Sequence, residues 1–235
     1  IGAVPVKLLT DAPQYRIEGI KPPGLEALQN ASLESLPLPD AKPGGVLLHL
    51  LTMPNIVSRA SIFRQYDHQV QTNTVVPPGQ ADAAVLRLQG TNRGIALCID
   101  GNGRACYIEP YIGGAIAVAE ACRNLTCVGA KPVAITDCLN FGDPSRPDVY
   151  YQLEECIKGM AAACRILEVP VVSGNVSLYN EQDGQAIYPT PVVGAIGVLK
   201  DIERHVKMAF AKEGDVVVLL GATEVSGKAE SLGAV

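Results

Sequence analysis

Two short segments gather residues able to handle an anion and a hard cation. Thr136-Asp137 closes one apolar run, Pro132 to Thr136, and Ser173-Gly174-Asn175-Val176-Ser177 closes another, Val169 to Val172. Asp137 supplies a carboxylate and Asn175 an amide oxygen, both hard donors suited to Mg2+. Ending neighbouring strands, the two would share one Mg–phosphate cluster. Gly174 lacks a Cβ and so lets backbone approach a phosphate closely. Gly113-Gly114 opens a helical run whose N-terminus would receive an anion. A third apolar run, Gly94 to Asp100, ends in Asp100-Gly101-Asn102-Gly103-Arg104. Taken singly, each feature has a plainer explanation. Gly-Asn and Asp-Gly pairs form turns, Gly-Gly serves helix packing, and an Asp after a strand caps helices. What favours chemistry is that three strand ends would converge on one sheet edge, where open α/β sheets collect ligands. Neither Gly-x-x-x-x-Gly-Lys-[Ser/Thr] nor Gly-x-Gly-x-x-Gly occurs, so P-loop and Rossmann mechanics do not apply. The residues point to a Mg–polyphosphate site.

The elements that must hold these ends are legible in the apolar pattern. Asp82–Leu88 and Gly94–Asp100 have strand length, joined by the hairpin loop Gln89-Gly90-Thr91-Asn92-Arg93. From Gly113 to Asn124 small and apolar residues describe a helix buried on most sides, and Gly129 stands where its C-cap would be. A second helix, after a loop from Asn140 to Pro147, sets Val149, Leu153, Cys156, Ile157, Met160, Cys164 and Leu167 on one stripe. Glu154 and Lys158 make an i,i+4 pair on its wet face. Further strands are expected at Val192–Leu199 and Asp215–Leu220. Residues 1–20 read as a strand-like tail, with Val4, Val6, Tyr15 and Ile17 alternating against polar neighbours. The Pro- and Gly-dense stretch Lys21–Gly45 reads as a linker with one helical turn at Leu25–Leu28. The expected division is tail and linker over 1–53, one α/β layer domain of order β-β-α-β-α-β-β over 54–205, and the start of a second unit over 206–235. On this reading the chain is a piece of something longer.

Composition narrows the function classes. The chain has 235 residues, 48% hydrophobic and 18% charged, enough to bury a core, which excludes disorder for most of its length. A net charge of −5 argues against a nucleic-acid surface. No apolar run reaches the ~18–20 residues of a membrane span, and the opening Ile1-Gly2-Ala3-Val4-Pro5-Val6-Lys7 has no signal-peptide architecture. The seven cysteines include no Cys-x-x-Cys pair, and the three histidines are scattered. A zinc site needs four ligands in close pairs. Instead the odd count, spread over apolar segments, points to buried free thiols in a reducing cytoplasm.

Four long segments carry a family resemblance. They are Tyr66-Asp67-His68-Gln69-Val70-Gln71-Thr72-Asn73-Thr74-Val75-Val76, Gly113 to Ala121, Gly129 to Gly142 (with Thr136-Asp137-Cys138-Leu139-Asn140-Phe141-Gly142) and Ser173-Gly174-Asn175-Val176-Ser177-Leu178-Tyr179-Asn180-Glu181. In this order they resemble the phosphoribosylformylglycinamidine synthase family, more narrowly the second half of its synthetase subunit in the small multi-subunit form. The resemblance is strong from Pro54 to Asp201. It implies an α+β fold of the aminoimidazole ribonucleotide synthetase N-terminal type: α/β layers, a mixed four-stranded sheet with helices on one face, and the start of a second domain. It also implies a cytoplasmic ligase of purine biosynthesis. In that reaction ATP activates the formamide oxygen of formylglycinamide ribonucleotide, and glutamine-derived ammonia displaces phosphate to give the amidine.

Residue by residue, the resemblance implies nucleotide binding at Asp137 and Gly174, a magnesium ligand at Asn175 and a substrate contact at Ser177. It implies no catalytic residue in this chain. Where the family's first half carries a catalytic histidine this sequence has Asn102, and Asn124 replaces an acidic metal ligand; Asn102 cannot serve as a general base. His68 aligns with no catalytic residue. The implied partners are a glutamine amidotransferase subunit, a small accessory subunit, and a second sheet face for self-association, with no nucleic acid and no membrane. Two alternatives stay open: a structural pseudo-half holding a nucleotide that does not turn over, and another ATP-dependent member of the same superfamily.

Overall fold

The computed structural model describes residues 2–218 apart from 12, 13, 15, 33–36, 38 and 39. Short helices stand where a strand-like tail and a linker were expected, α1 (Val6–Thr10), α2 (Leu25–Gln29) and α3 (Pro43–Thr52), and a fourth, α4 (Ala60–Phe63), opens the stretch expected to be the α/β domain. Tyr15 lies outside the described residues. The single turn expected at Leu25–Leu28 is α2, entered through Gly24 at φ +83° and anchored by buried Leu25. Pro43 begins α3 instead of breaking the chain, because a fixed φ and a missing N–H suit a first helical position.

The domain that follows contains β1 (Thr74–Val76), β2 (Ala84–Arg87), β3 (Gly94–Asp100), α5 (Gly103–Ile108), α6 (Pro110–Cys127), β4 (Lys131–Asn140), α7 (Pro147–Leu167), β5 (Val171–Ser177), the two-residue strands β6 (Glu181–Gln182) and β7 (Gln185–Ala186), and β8 (Thr190–Leu199). One mixed sheet runs β1-β2-β3-β8-β4-β5, parallel only between β4 and β5. It has six strands rather than four, because β1 and β2 extend it beyond β3; β1 is too short to show a period in the sequence. The β6–β7 hairpin turns on Asp183 (φ 52°) and Gly184 (φ 75°), the left-handed pair that a two-residue hairpin loop demands. Residues 215–218 form no strand, which corrects the expectation for Asp215–Leu220, whose last two residues lie outside the described ones. A lone strand with no edge to pair against has no ladder to stabilise it.

Helices α6 and α7 lie on one face of the sheet. Along β8 every second residue, Pro191, Val193, Ala195, Gly197 and Leu199, is buried beneath them, and the residues between are half-exposed on the open face. The main core joins Val118, Leu125, Ile135, Val193 and Leu199. Gly129 ends α6 at φ +88°, with its N–H on Thr126 O (2.9 Å) and that of Ala130 on Leu125 O (3.0 Å). That 5→2 and 6→1 pairing is a Schellman cap. The Glu154–Lys158 pair forms as expected, at 3.2 Å.

Candidate functional site

Strands β3 and β4 each pair antiparallel with β8, and β5 runs parallel to β4. The carboxyl ends of β3, β4 and β5 therefore meet on one edge, as the sequence suggested. The register sets Asp100, Val193, Asp137 and Gly174 abreast in a single row. Yet none of Asp137, Gly174 and Asn175 ends a strand, for β4 continues to Asn140 and β5 to Ser177. Position within a strand then decides which face each side chain takes, because successive residues point to opposite sides.

Asp137 shares its row with Val193, which is fully buried under the helices, so its carboxylate lies on the helix-covered face. Burial raises its pKa above the ordinary carboxylate value, and the carboxylate adds to the burial that raises the pKa of Cys164 on α7. Gly174 sits directly beside it: a Cβ there would overlap Asp137 Oδ1 and lie 2.8 Å from its Cγ. Cys138 and Asn175, one residue further along each strand, face the open side, with Asn175 Nδ2 donating to Cys138 Sγ at 3.4 Å. Asn140 Nδ2 donates to the carbonyls of Cys138 (2.9 Å) and Thr190 (3.1 Å). Ser177 Oγ accepts from Asn180 Nδ2 at 3.2 Å. Asp137 and Asn175 thus stand on opposite faces of the sheet, and the shared cluster expected of them does not form in this chain.

One other expectation changes, that for Gly113-Gly114. Gly113 and Gly114 lie in the first turns of α6, after Pro110 at its start, and serve close packing: a Cβ at Gly113 would come 2.5 Å from Cys106 Cα, and one at Gly114 would overlap the Cys156 carbonyl oxygen. No anion site is built on them. Asn102 caps α5, its Oδ1 accepting from Arg104 N–H (3.2 Å) and Ala105 N–H (3.1 Å). Asn124 donates through Nδ2 to both carboxylate oxygens of Asp100 at 3.1 Å. Beside that carboxylate Cys98 is pushed up to about 12, by burial first and by Asp100 second. His68 is exposed, with Nδ1 3.2 Å from the Tyr66 carbonyl oxygen, and touches no site residue. Sequence reasoning missed Cys138 and Asn140. The i, i+2 spacing of Thr136, Cys138 and Asn140 was the available signal, since it puts three polar groups on one face of a strand.

The donor set tests the fit of Mg2+. Asn175, its Nδ2 held by sulfur, offers Oδ1, and its row of Cys138 and Val192 contains no carboxylate. Among the described residues no three His, Cys, Asp or Glu side chains gather as a metal group. Such a site fits a cation that arrives with nucleotide phosphates, because Mg2+ commonly takes one or two protein ligands with the rest from phosphate and water. A separate groove of about 440 Å³, lined by Tyr111, Ile112, Ile116, Ala162 and Ile166, lies between α6 and α7 and shares none of these residues.

The sheet with its two covering helices and its polar β4–β5 edge has a clear family. The profile described as "AIR synthase related protein, N-terminal domain" matches residues 80–199, and the chain belongs to that family. Within it, the chain is 52% identical over 230 residues to the phosphoribosylformylglycinamidine synthase subunit PurL of Moorella thermoacetica, covering 97% of this chain and 31% of that protein. Among solved structures it is similar to PurLQS from Thermotoga maritima, with a TM-score of 0.65 and 35% identity over 89% of this chain and 31% of that one. It is also similar to T. maritima PurL complexed with ATP (TM-score 0.59, 35% identity, 85% and 30% covered) and with FGAR (TM-score 0.58, 36% identity, 83% and 28% covered). The chain spans about a third of the length of these relatives. Among the described residues no helix is long and apolar enough to cross a membrane.

Proposed function

We propose that this chain is a nucleotide-binding half of the ATP-dependent, C–N bond-forming ligase that makes formylglycinamidine ribonucleotide from formylglycinamide ribonucleotide and glutamine-derived ammonia, in cytoplasmic purine biosynthesis. The observation that carries the reading is the apposition of the two resembling motifs. Parallel β4 and β5 bring Asp137 against Gly174, Cys138 against Asn175, and Asn140 against Ser177. In this assignment Asp137 and Gly174 bind nucleotide from the helix side, Asn175 Oδ1 ligates its cation on the open face, the ligand reaching both around β5 at the end of the sheet, and Ser177 contacts substrate on the open face. Mg2+, when bound, offsets phosphate charge. The chain's own part is binding and orientation, which hold reacting groups together without a titrating base. Ammonia would come from a glutamine amidotransferase subunit, with a small accessory subunit alongside. The open face, where Ile99 is 76% and Leu97 40% exposed, is the surface offered for pairing with a second copy of this kind of sheet.

The test is calorimetry of Mg-nucleotide binding to the full-length protein. Asp137→Ala and Asn175→Ala should each weaken binding by ~1–3 kcal/mol, the scale of a lost charge-assisted contact. Because the two side chains stand on opposite faces, their effects should add. Unchanged affinity in both variants sinks the assignment. The pseudo-half reading is favoured by a separate observation: Asn102 and Asn124 are spent on a helix cap and on Asp100. Bound nucleotide that fails to exchange during turnover would select it.

A further inference from the structure

Gly174 stands in the middle of β5, where glycine weakens a strand by having nothing to pack and more backbone entropy to lose. Its φ is not in the left-handed region, so the backbone conformation does not demand it. What a side chain would meet at this position is Asp137: its Oδ1 overlaps the place of a Cβ, with Cγ at 2.8 Å and the Asp137 carbonyl oxygen at 3.1 Å. That carboxylate is half-buried, and among the described residues it accepts no hydrogen bond and joins no ion pair. Leaving a carboxylate this poorly compensated is costly, a pattern that belongs to sites more than to cores. We propose that Gly174 is a positioning residue: the space of its missing Cβ seats the Asp137 carboxylate, so Gly174 serves nucleotide binding through Asp137 rather than by bringing its own backbone to a phosphate. This rests on the proposed nucleotide role of Asp137. Other glycines of the strands do not share the arrangement, for the nearest side-chain atom a Cβ would meet is Ile202 Cδ1 at Gly94 (3.1 Å), Thr136 Cγ2 at Gly194 (2.9 Å) and Ala130 Cβ at Gly197 (3.0 Å), in each case carbon rather than a carboxylate oxygen.

The two roles separate in a double-substitution cycle on the full-length protein, with MgATP as the probe. Gly174→Ala should weaken MgATP binding by about tenfold, the middle of the range for contacting residues. In the Asp137→Ala background the same change should cost no more than about twofold, since Oδ1 and Cγ are gone. In nucleotide-free protein, Gly174→Ala should also shift the 13C carboxyl resonance of Asp137, a signature that general loss of strand stability does not produce. Additive losses, or an unmoved carboxyl resonance, overturn the proposal. If Gly174→Ala does not fold, recovery of folding in the double variant supports it, and failure of both overturns it. Should Asp137→Ala leave MgATP affinity intact, the nucleotide role of Asp137 is what fails. The resonance then decides alone whether Gly174 seats the carboxylate.

Discussion

Helices α6 and α7 approach each other through two reciprocal glycines, and substituting one of them has a calculable cost. A Cβ at Gly159 on α7 would overlap the Tyr111 carbonyl oxygen and lie 2.7 Å from its carbonyl carbon, while one at Gly114 on α6 would overlap the Cys156 carbonyl oxygen. The obstacles are backbone atoms, so no rotamer change relieves them and the helices must move apart. Overpacking costs ~1–3 kcal/mol and sometimes more, and this geometry belongs at the upper end. Alanine returns about 1 kcal/mol of helix propensity relative to glycine. The net expectation for Gly159→Ala is a loss of roughly 2 kcal/mol. With a urea m-value of ~1–3 kcal/mol/M, the midpoint should fall by about 1 M at unchanged m. Gly45→Ala in α3 is the matched control: nothing lies within 4 Å of its Cβ, and it should gain about 0.5–1 kcal/mol. Urea unfolding followed by far-UV circular dichroism reads both. If Gly159→Ala unfolds at or above the wild-type midpoint, or if the two variants move together, the close-packing account is wrong.

Asp137→Asn should be more stable than wild type at pH 7. Burial raises the folded pKa of Asp137 above 3.8, so the folded state binds more protons than the unfolded one between those two values, and the charge costs stability in full only above the folded pKa. The advantage of asparagine should therefore shrink as pH falls through that window; thermal unfolding at several pH values checks the sign. Asn102→Ala should cost about 1 kcal/mol of stability, the worth of an N-cap, and leave MgATP affinity unchanged if capping is its whole task. All seven cysteines are free, and a thiol reagent should label exposed Cys127 first and the mutually packed, buried Cys106 and Cys156 only on unfolding. A hydrogen bond with Cys106 that favours the protonated Cys156 thiol, and then burial, raise the pKa of Cys156, which slows it further. Finally, the 235-residue chain assayed with ATP, formylglycinamide ribonucleotide and ammonia should show no turnover if, as the resemblance implies, Asn102 stands in place of a catalytic base, whose loss costs ~10²–10⁴ in rate; turnover near that of the full-length relatives would make it a catalyst in its own right.

Much of the frame is decided locally and can be read from the chain. The β2–β3 hairpin, the apolar runs of β4 and β8, the stripe of α7 and the glycine that ends α6 all follow from period, turn chemistry and capping, which depend on neighbours a few residues away. So does the candidate chemistry, since Asp137, Gly174, Asn175 and Ser177 sit in recognisable strings. The tertiary structure decided what these residues face. Alternation along a strand tells that Asp137 and Cys138 point oppositely, but the ends of β4 and β5 and their register decide that Asp137 looks into the helix layer and Asn175 away from it. Glycine is the sharpest case. Gly113-Gly114 and Gly174 look alike in sequence, as permissive backbone beside a ligand. Only the partner across the contact shows that the first pair admits the backbones of α5 and α7 and the other admits a carboxylate. A missing side chain has no local signature, because what it makes room for comes from elsewhere in the chain.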